Sequence, residues 1–141
     1  MAEQTNRQLN EQEQAEWTRS AYQKALKHLA EKGVIASQIT LEESRVLPPL
    51  VAIWKLSAQV PAVRKYWAIS GDLPADVATL DAAESAREAL RYFSMSWQLK
   101  GQQLLETAGN DETKRQYAGL LINRAEGLYE LYNADPLWAN G

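Results

Sequence analysis

The chain has no cysteine, one histidine, one phenylalanine and two methionines among its 141 residues. Without cysteine there is no disulfide, thiolate zinc site, iron–sulfur cluster or cysteine nucleophile. A lone histidine, His28, excludes a histidine-rich metal site within one chain. Basic charge is also scarce: 15 Lys+Arg stand against 18 Asp+Glu, for a net charge of −3 and a pI near 5.2. Phosphate backbones are held by clustered cations, so nucleic acid is not an expected partner. The first residues, Met1 to Asn6, have no basic start and no apolar core of a leader, and no long apolar run follows. The expectation is a cytoplasmic protein with no membrane partner. What is present is ordinary for a folded chain: 45% hydrophobic and 23% charged residues, enough for one core.

Residues 1–14 are rich in Gln, Asn and Glu and read as a flexible tail, leaving one domain over 15–138. From about Glu13 to Lys32, Trp17, Ala21, Tyr22, Ala25, Leu26 and Leu29 share one side at ~100° per residue, and Gly33 suits the helix end. Val34 to Thr40 suggests a short strand. Pro48-Pro49 forbids helix across that point, and Leu50 to Leu56 is dense in branched and aromatic residues, as is Tyr66 to Ser70. These predict an antiparallel hairpin joined by a loop over Ser57 to Lys65, with Trp54 and Trp67 as cross-strand neighbours. The 3.6-residue period returns from Asp81 to about Ala108, with Asp81 expected as N-cap, and again from Glu112 to Asn133. The predicted fold is α+β, three main helices packed on a small two- or three-stranded antiparallel sheet.

Few residues suggest chemistry. Asp72, Asp76, Asp81 and Glu84 form the densest acidic run, which could attract a hard cation but matches no metal loop and reads as turn and cap residues. His28 sits at the border of an apolar helix face and reads as bonded to a backbone carbonyl. Ser44, Ser70, Ser94 and Ser96 lie in no nucleophile elbow, and no glycine-rich phosphate loop exists. Arg87 and Arg91 lie one turn apart on the second helix. Arg124 falls within the apolar stripe of the third, where its guanidinium should need a carboxylate or backbone carbonyl. Trp54 and Trp67 read as core, or as walls of a ligand pocket with Arg87, Arg91 and Arg124. Tyr92, Met95 and Leu99 form a second apolar stripe opposite Ala86, Leu90, Phe93 and Trp97, which suggests an interface.

The segments Leu50 to Lys55, Ile69 to Pro74, Ala86 to Ser94, Trp97 to Lys100 and Arg124 to Tyr129 together resemble a family of small bacterial proteins classified only as a domain of unknown function. The resemblance covers most of the chain after the tail, implies a bacterial cytoplasmic origin, and carries over no site residue. The sequence therefore reads as a non-enzymatic binding or protein-interaction module, homodimeric through Tyr92, Met95 and Leu99, with no cofactor, metal or catalytic residue expected. The alternative is a protein that binds a small anionic ligand in a Trp/Arg-lined pocket of Trp54, Trp67, Arg87, Arg91 and Arg124. A third reading, a metal-dependent hydrolase, rests on the acidic run.

Overall fold

In a computed structural model that describes residues 9–139, a central antiparallel sheet is covered by helix on both faces. The helices are α1 (Glu11–Glu31), α2 (Ala86–Ala108) and α3 (Glu112–Tyr132). The strands are β1 (Ile35–Ile39), β2 (Arg45–Leu47), β3 (Val51–Val60), β4 (Arg64–Gly71) and β5 (Asp76–Thr79). The α+β class stands, but the sheet has five strands rather than two or three. Both β1 and β2 pair with β3 along the same side, β4 pairs with the other side of β3, and β5 closes the far edge.

The strand alternation divides the core. Val51, Ile53, Trp67 and Ile69 point to the layer of α2 and α3, where they meet Ala89, Leu90, Phe93, Trp97, Leu121, Ala125 and Leu128. Ala52, Trp54, Leu56 and Ala68 point the other way, onto Ala21, Ala25 and Leu29 of α1. A sheet buried on both faces needs apolar residues at successive positions, which is why β3 and β4 read as dense apolar runs rather than as alternation.

Helix α1 begins at Glu11 with a capping box: the Asn10 side chain accepts from the Glu13 backbone N–H, and the Glu13 carboxylate accepts from the Asn10 N–H. Helix therefore occupies part of the stretch read as tail; residues 1–8 of that tail lie outside the described residues. The expected loop over Ser57 to Lys65 is mostly strand, because Ser57 and Ala58 pair with both β1 and β4, Val60 pairs with Ile35 of β1, and Arg64 and Lys65 already belong to β4. Asp81 caps no helix. It lies in a short 3-10 turn, Leu80–Ala82, and accepts from the Thr79 hydroxyl, while α2 starts after Ser85, whose side chain accepts from the Glu88 N–H.

Two buried hydroxyls tie the layers. Ser70 donates to the Ala21 carbonyl of α1 at 2.6 Å, and Ser94 donates to the Ala125 carbonyl of α3 at 2.7 Å. The α2–α3 crossing is close at Gly101, where an added Cβ would lie 2.6 Å from Ile122 Cγ1 and 3.1 Å from the Ala118 carbonyl oxygen.

Candidate functional site

Helix α2 packs mainly on the sheet and α3, and its first turn also meets the 3-10 turn Asp135–Trp138. Its sheet face carries Ala86, Ala89, Leu90, Phe93 and Trp97, all buried, and the side toward α3 carries Ser94 and Gly101. At ~100° per residue, Tyr92, Met95 and Leu99 fall on the remaining arc. Among the described residues no other element covers that arc: Tyr92 is 41% exposed, Met95 54% and Leu99 61%. Tyr92 is steadied by an edge-on contact with Phe93, the ring centroids 5.5 Å apart. Arg91, exposed, borders the stripe one turn before Met95. The stripe thus presents three large apolar groups in successive turns on a helix anchored from behind.

The Trp/Arg set does not converge. Trp54 pairs with Ala68 and Trp67 with Lys55, so the two indoles lie on opposite faces of the sheet. A one-residue change of register flips every side chain to the other face, and this hairpin closes with the register that separates the tryptophans. Each is tied into structure: Trp54 Nε1 donates to Ser70 Oγ at 2.9 Å, and Trp67 Nε1 to the Ala83 carbonyl at 3.0 Å.

Arg87 is a clamp on the end of the chain. Its Nε and Nη2 donate to the Tyr132 carbonyl at 3.0 and 2.8 Å, and Nη2 also reaches Asp135 Oδ1 at 2.6 Å. The guanidinium lies over the rings of Tyr132 and Trp138, and Arg45 approaches Trp138 as well while donating to the Leu137 carbonyl. With its fork engaged, Arg87 fixes the 3-10 turn Asp135–Trp138. Arg87→Ala is expected to lower stability by about 1.5–3 kcal/mol, the usual range for hydrogen bonds made by a charged group. Amide exchange over residues 135–138 should quicken more than elsewhere; an even acceleration across the chain would contradict the clamp.

Arg124 is half-buried, as its place beside the apolar stripe requires, but its Nη1 donates at 2.7 Å to Asn123 Oδ1. The expected carboxylate or backbone carbonyl is replaced by a neighbouring amide oxygen, because the side chain emerges at the edge of the buried face. There it lines a cleft of about 340 Å³ with Leu50, Leu73, Leu131, Asp72 and Glu130. Arg87, Arg91 and Arg124 consequently form no common anion site.

The acidic run is dispersed as well. Asp76 accepts from the Trp97 indole at 2.8 Å through one oxygen and from the Val77 N–H at 2.8 Å through the other. Among the described residues no three His, Asp or Glu side chains converge in a metal-holding group. Nor does the border histidine behave as expected: His28 Nε2 is enclosed without a hydrogen-bond partner among the described residues, so no carbonyl bond forms there.

The sequence reading missed a groove of about 580 Å³ between α1 and the β1–Leu41 segment. Its walls include Ala15, Thr18, Arg19 and Tyr22 on one side and Ile39 and Leu41 on the other, with Trp54 at the base. The spacing 15, 18, 22 was visible along α1, but the opposite wall depends on how β1 docks, which no local pattern encodes.

A family model described as a domain of unknown function, DUF4826, matches residues 11–138. The chain belongs to the DUF4826 family. Comparison with curated proteins and with solved structures finds no match. The matched span runs from the first residue of α1 to the tryptophan under the Arg87 clamp, so the DUF4826 unit comprises the whole sheet and both helical layers. No helix of the DUF4826 unit, among the described residues, is long and apolar enough to cross a membrane.

Proposed function

We propose that this DUF4826 protein is a non-enzymatic interaction module that acts as a homodimer, with the outer face of α2 as its contact. The reading includes a bacterial, cytoplasmic setting, which extends the resemblance drawn from the sequence. One observation carries it: Tyr92, Met95 and Leu99 stand 41–61% exposed in a row on a helix whose opposite face is packed on the sheet and α3. Large apolar groups gathered in one patch gain roughly 25 cal/mol for each Å² removed from water. A second copy related by a two-fold axis buries the same patch twice with one set of residues. Tyr92 suits such a contact because its ring adds area while its hydroxyl can remain at a wet rim, and Arg91 supplies charge at that rim.

Light scattering on the wild type and on Met95→Glu tests the proposal. The wild type should be a dimer, and the variant a folded monomer with dimerisation weakened by about 100-fold or more, as when a charge enters the centre of an interface. Met95 is 54% exposed, so the substitution leaves the core intact, and circular dichroism checks this. A wild-type monomer, or a Met95→Glu protein that remains dimeric, overturns the proposal.

A further inference from the structure

The groove between α1 and the β1–Leu41 segment has features of a binding site that the dimer reading does not use. Its volume of about 580 Å³ falls in the range of small-molecule sites. Its base is fixed: Trp54 is buried, its indole N–H is satisfied by Ser70, and the Ser70 hydroxyl is in turn bonded to Ala21 of α1. That relay turns the polar edge of Trp54 inward and leaves its carbon surface beneath the groove. The Tyr22 ring packs edge-on against Trp54, the centroids 5.2 Å apart and the planes at 61°, so the wall and the base hold one another. Ile39 and Leu41 form the other wall, and Leu41 is 66% exposed, with apolar area still to lose from water.

The polar groups at the mouth give the ligand its chemistry. Arg19 lines the groove, is exposed, and has no ion-pair or hydrogen-bond partner among the described residues. The Tyr22 hydroxyl, one turn further along α1, likewise makes no hydrogen bond among the described residues. Thr18 is occupied, donating to the Gln14 carbonyl at 2.7 Å. Among the described residues the groove has one carboxylate, Glu11, eight residues from Arg19 and about 12 Å along the axis. A guanidinium and a phenol therefore offer donors at one end of an apolar trough, and a carboxylate keeps anions from the other end. An oxyanion on an apolar body matches that arrangement.

We propose that the groove lined by Arg19, Tyr22, Ile39, Leu41 and Trp54 binds a small amphipathic carboxylate. The carboxylate meets Arg19 and Tyr22, and the apolar body lies between Tyr22 and Leu41.

Octanoate and 1-octanol are the probes, titrated into the ¹⁵N-labelled protein while the Trp54 indole N–H and the amides of Thr18, Arg19, Tyr22 and Leu41 are followed. Octanoate should give saturable shifts confined to the groove. Arg19→Ala should weaken octanoate about tenfold, the scale of one lost charge-assisted hydrogen bond, while leaving octanol unchanged. Leu41→Glu should abolish both. Arg19 and Leu41 are exposed, so both variants are expected to fold. The proposal fails if the shifts do not saturate, if they centre on Tyr92, Met95 and Leu99, or if Arg19→Ala weakens octanoate and octanol alike. It also fails if Leu41→Glu lowers the mass seen by light scattering, since a second copy then occupies the groove. A Leu41→Glu mass loss would also move the dimer contact from α2 to the groove, whereas non-saturating shifts or equal weakening of octanoate and octanol would sink the groove alone and leave the Met95→Glu test of the dimer untouched.

Discussion

Gly71→Ala is expected to destabilise the protein by about 3–5 kcal/mol, the upper end of single-substitution effects. Gly71 ends β4 with φ at +131°, a backbone conformation that L side chains rarely adopt. Space compounds the conformational cost. A Cβ there would lie 2.8 Å from the Leu50 carbonyl oxygen, 3.1 Å from Val51 Cα and 3.0 Å from Trp17 Cζ2. Trp17 could rotate, but the other two atoms are backbone at the start of the central strand. Moving them would disturb the Val51–Gly71 pairing and the bond from the Asp72 N–H to the Leu50 carbonyl. The Gly71 carbonyl also accepts from Lys24 Nζ at 3.2 Å, so a shift would loosen α1. Gly33→Ala separates the two costs. Gly33 has φ at +81° but nothing within 4 Å of a built Cβ, so only the conformational cost applies, about 1 kcal/mol. Urea denaturation of both variants checks the difference. Similar losses at the two sites would mean that the strand yields and that contact around Gly71 is not limiting.

The main helices and the central hairpin were legible in the sequence because each carries its own signal. The 3.6-residue stripe of Ala86, Leu90, Phe93 and Trp97 needs only one neighbouring layer to explain it, and that layer is the sheet. What the sequence hid was short or relational. Strands β2 and β5 have three and four residues, too few to show a period, and Asp76–Thr79 reads as part of an acidic run. Its position is set by pairing with β4, and Asp76 is acidic there because the Trp97 indole needs an acceptor. The separation of Trp54 from Trp67 depends on hairpin register, which five residues around Pro61 decide by one step.

The candidate surfaces divide along the same line. The Tyr92 stripe could be read from one helix, since exposure follows once the neighbours take the other sides. Arg87 could not be read as a clamp, because its acceptors at Tyr132 and Asp135 lie 45 and 48 residues away. An arginine one turn from another looks the same on paper whether it waits for an anion or closes a chain end. The tertiary acceptors distinguish the cases, and here they assign Arg87 to structure.

Trp54→Ala is expected to cost about 3–5 kcal/mol, because a buried indole leaves a cavity that a sheet held on both faces cannot collapse. Trp54 is 1% exposed, sits in the central strand, and holds Tyr22 against the sheet. Two further variants divide that cost between packing and the relay through Ser70. Trp54→Phe keeps most of the apolar volume and removes the donor to Ser70, whose hydroxyl still has the Ala21 carbonyl to donate to, so the loss should be nearer 1–2 kcal/mol. Ser70→Ala in the wild type strands the indole N–H in a buried site at about 1–3 kcal/mol. In the Trp54→Phe background no N–H remains to be stranded, so Ser70→Ala should cost about 1 kcal/mol less than in the wild type. Urea unfolding followed by far-ultraviolet circular dichroism reads all five proteins, Trp54→Ala and the four corners of the Trp54/Ser70 cycle, without relying on tryptophan emission. Additive losses would show that the Trp54–Ser70 bond contributes nothing beyond packing. A coupling near 1 kcal/mol would show that the bond seating the indole stabilises beyond packing, through the same Ser70 oxygen that donates to Ala21 of α1.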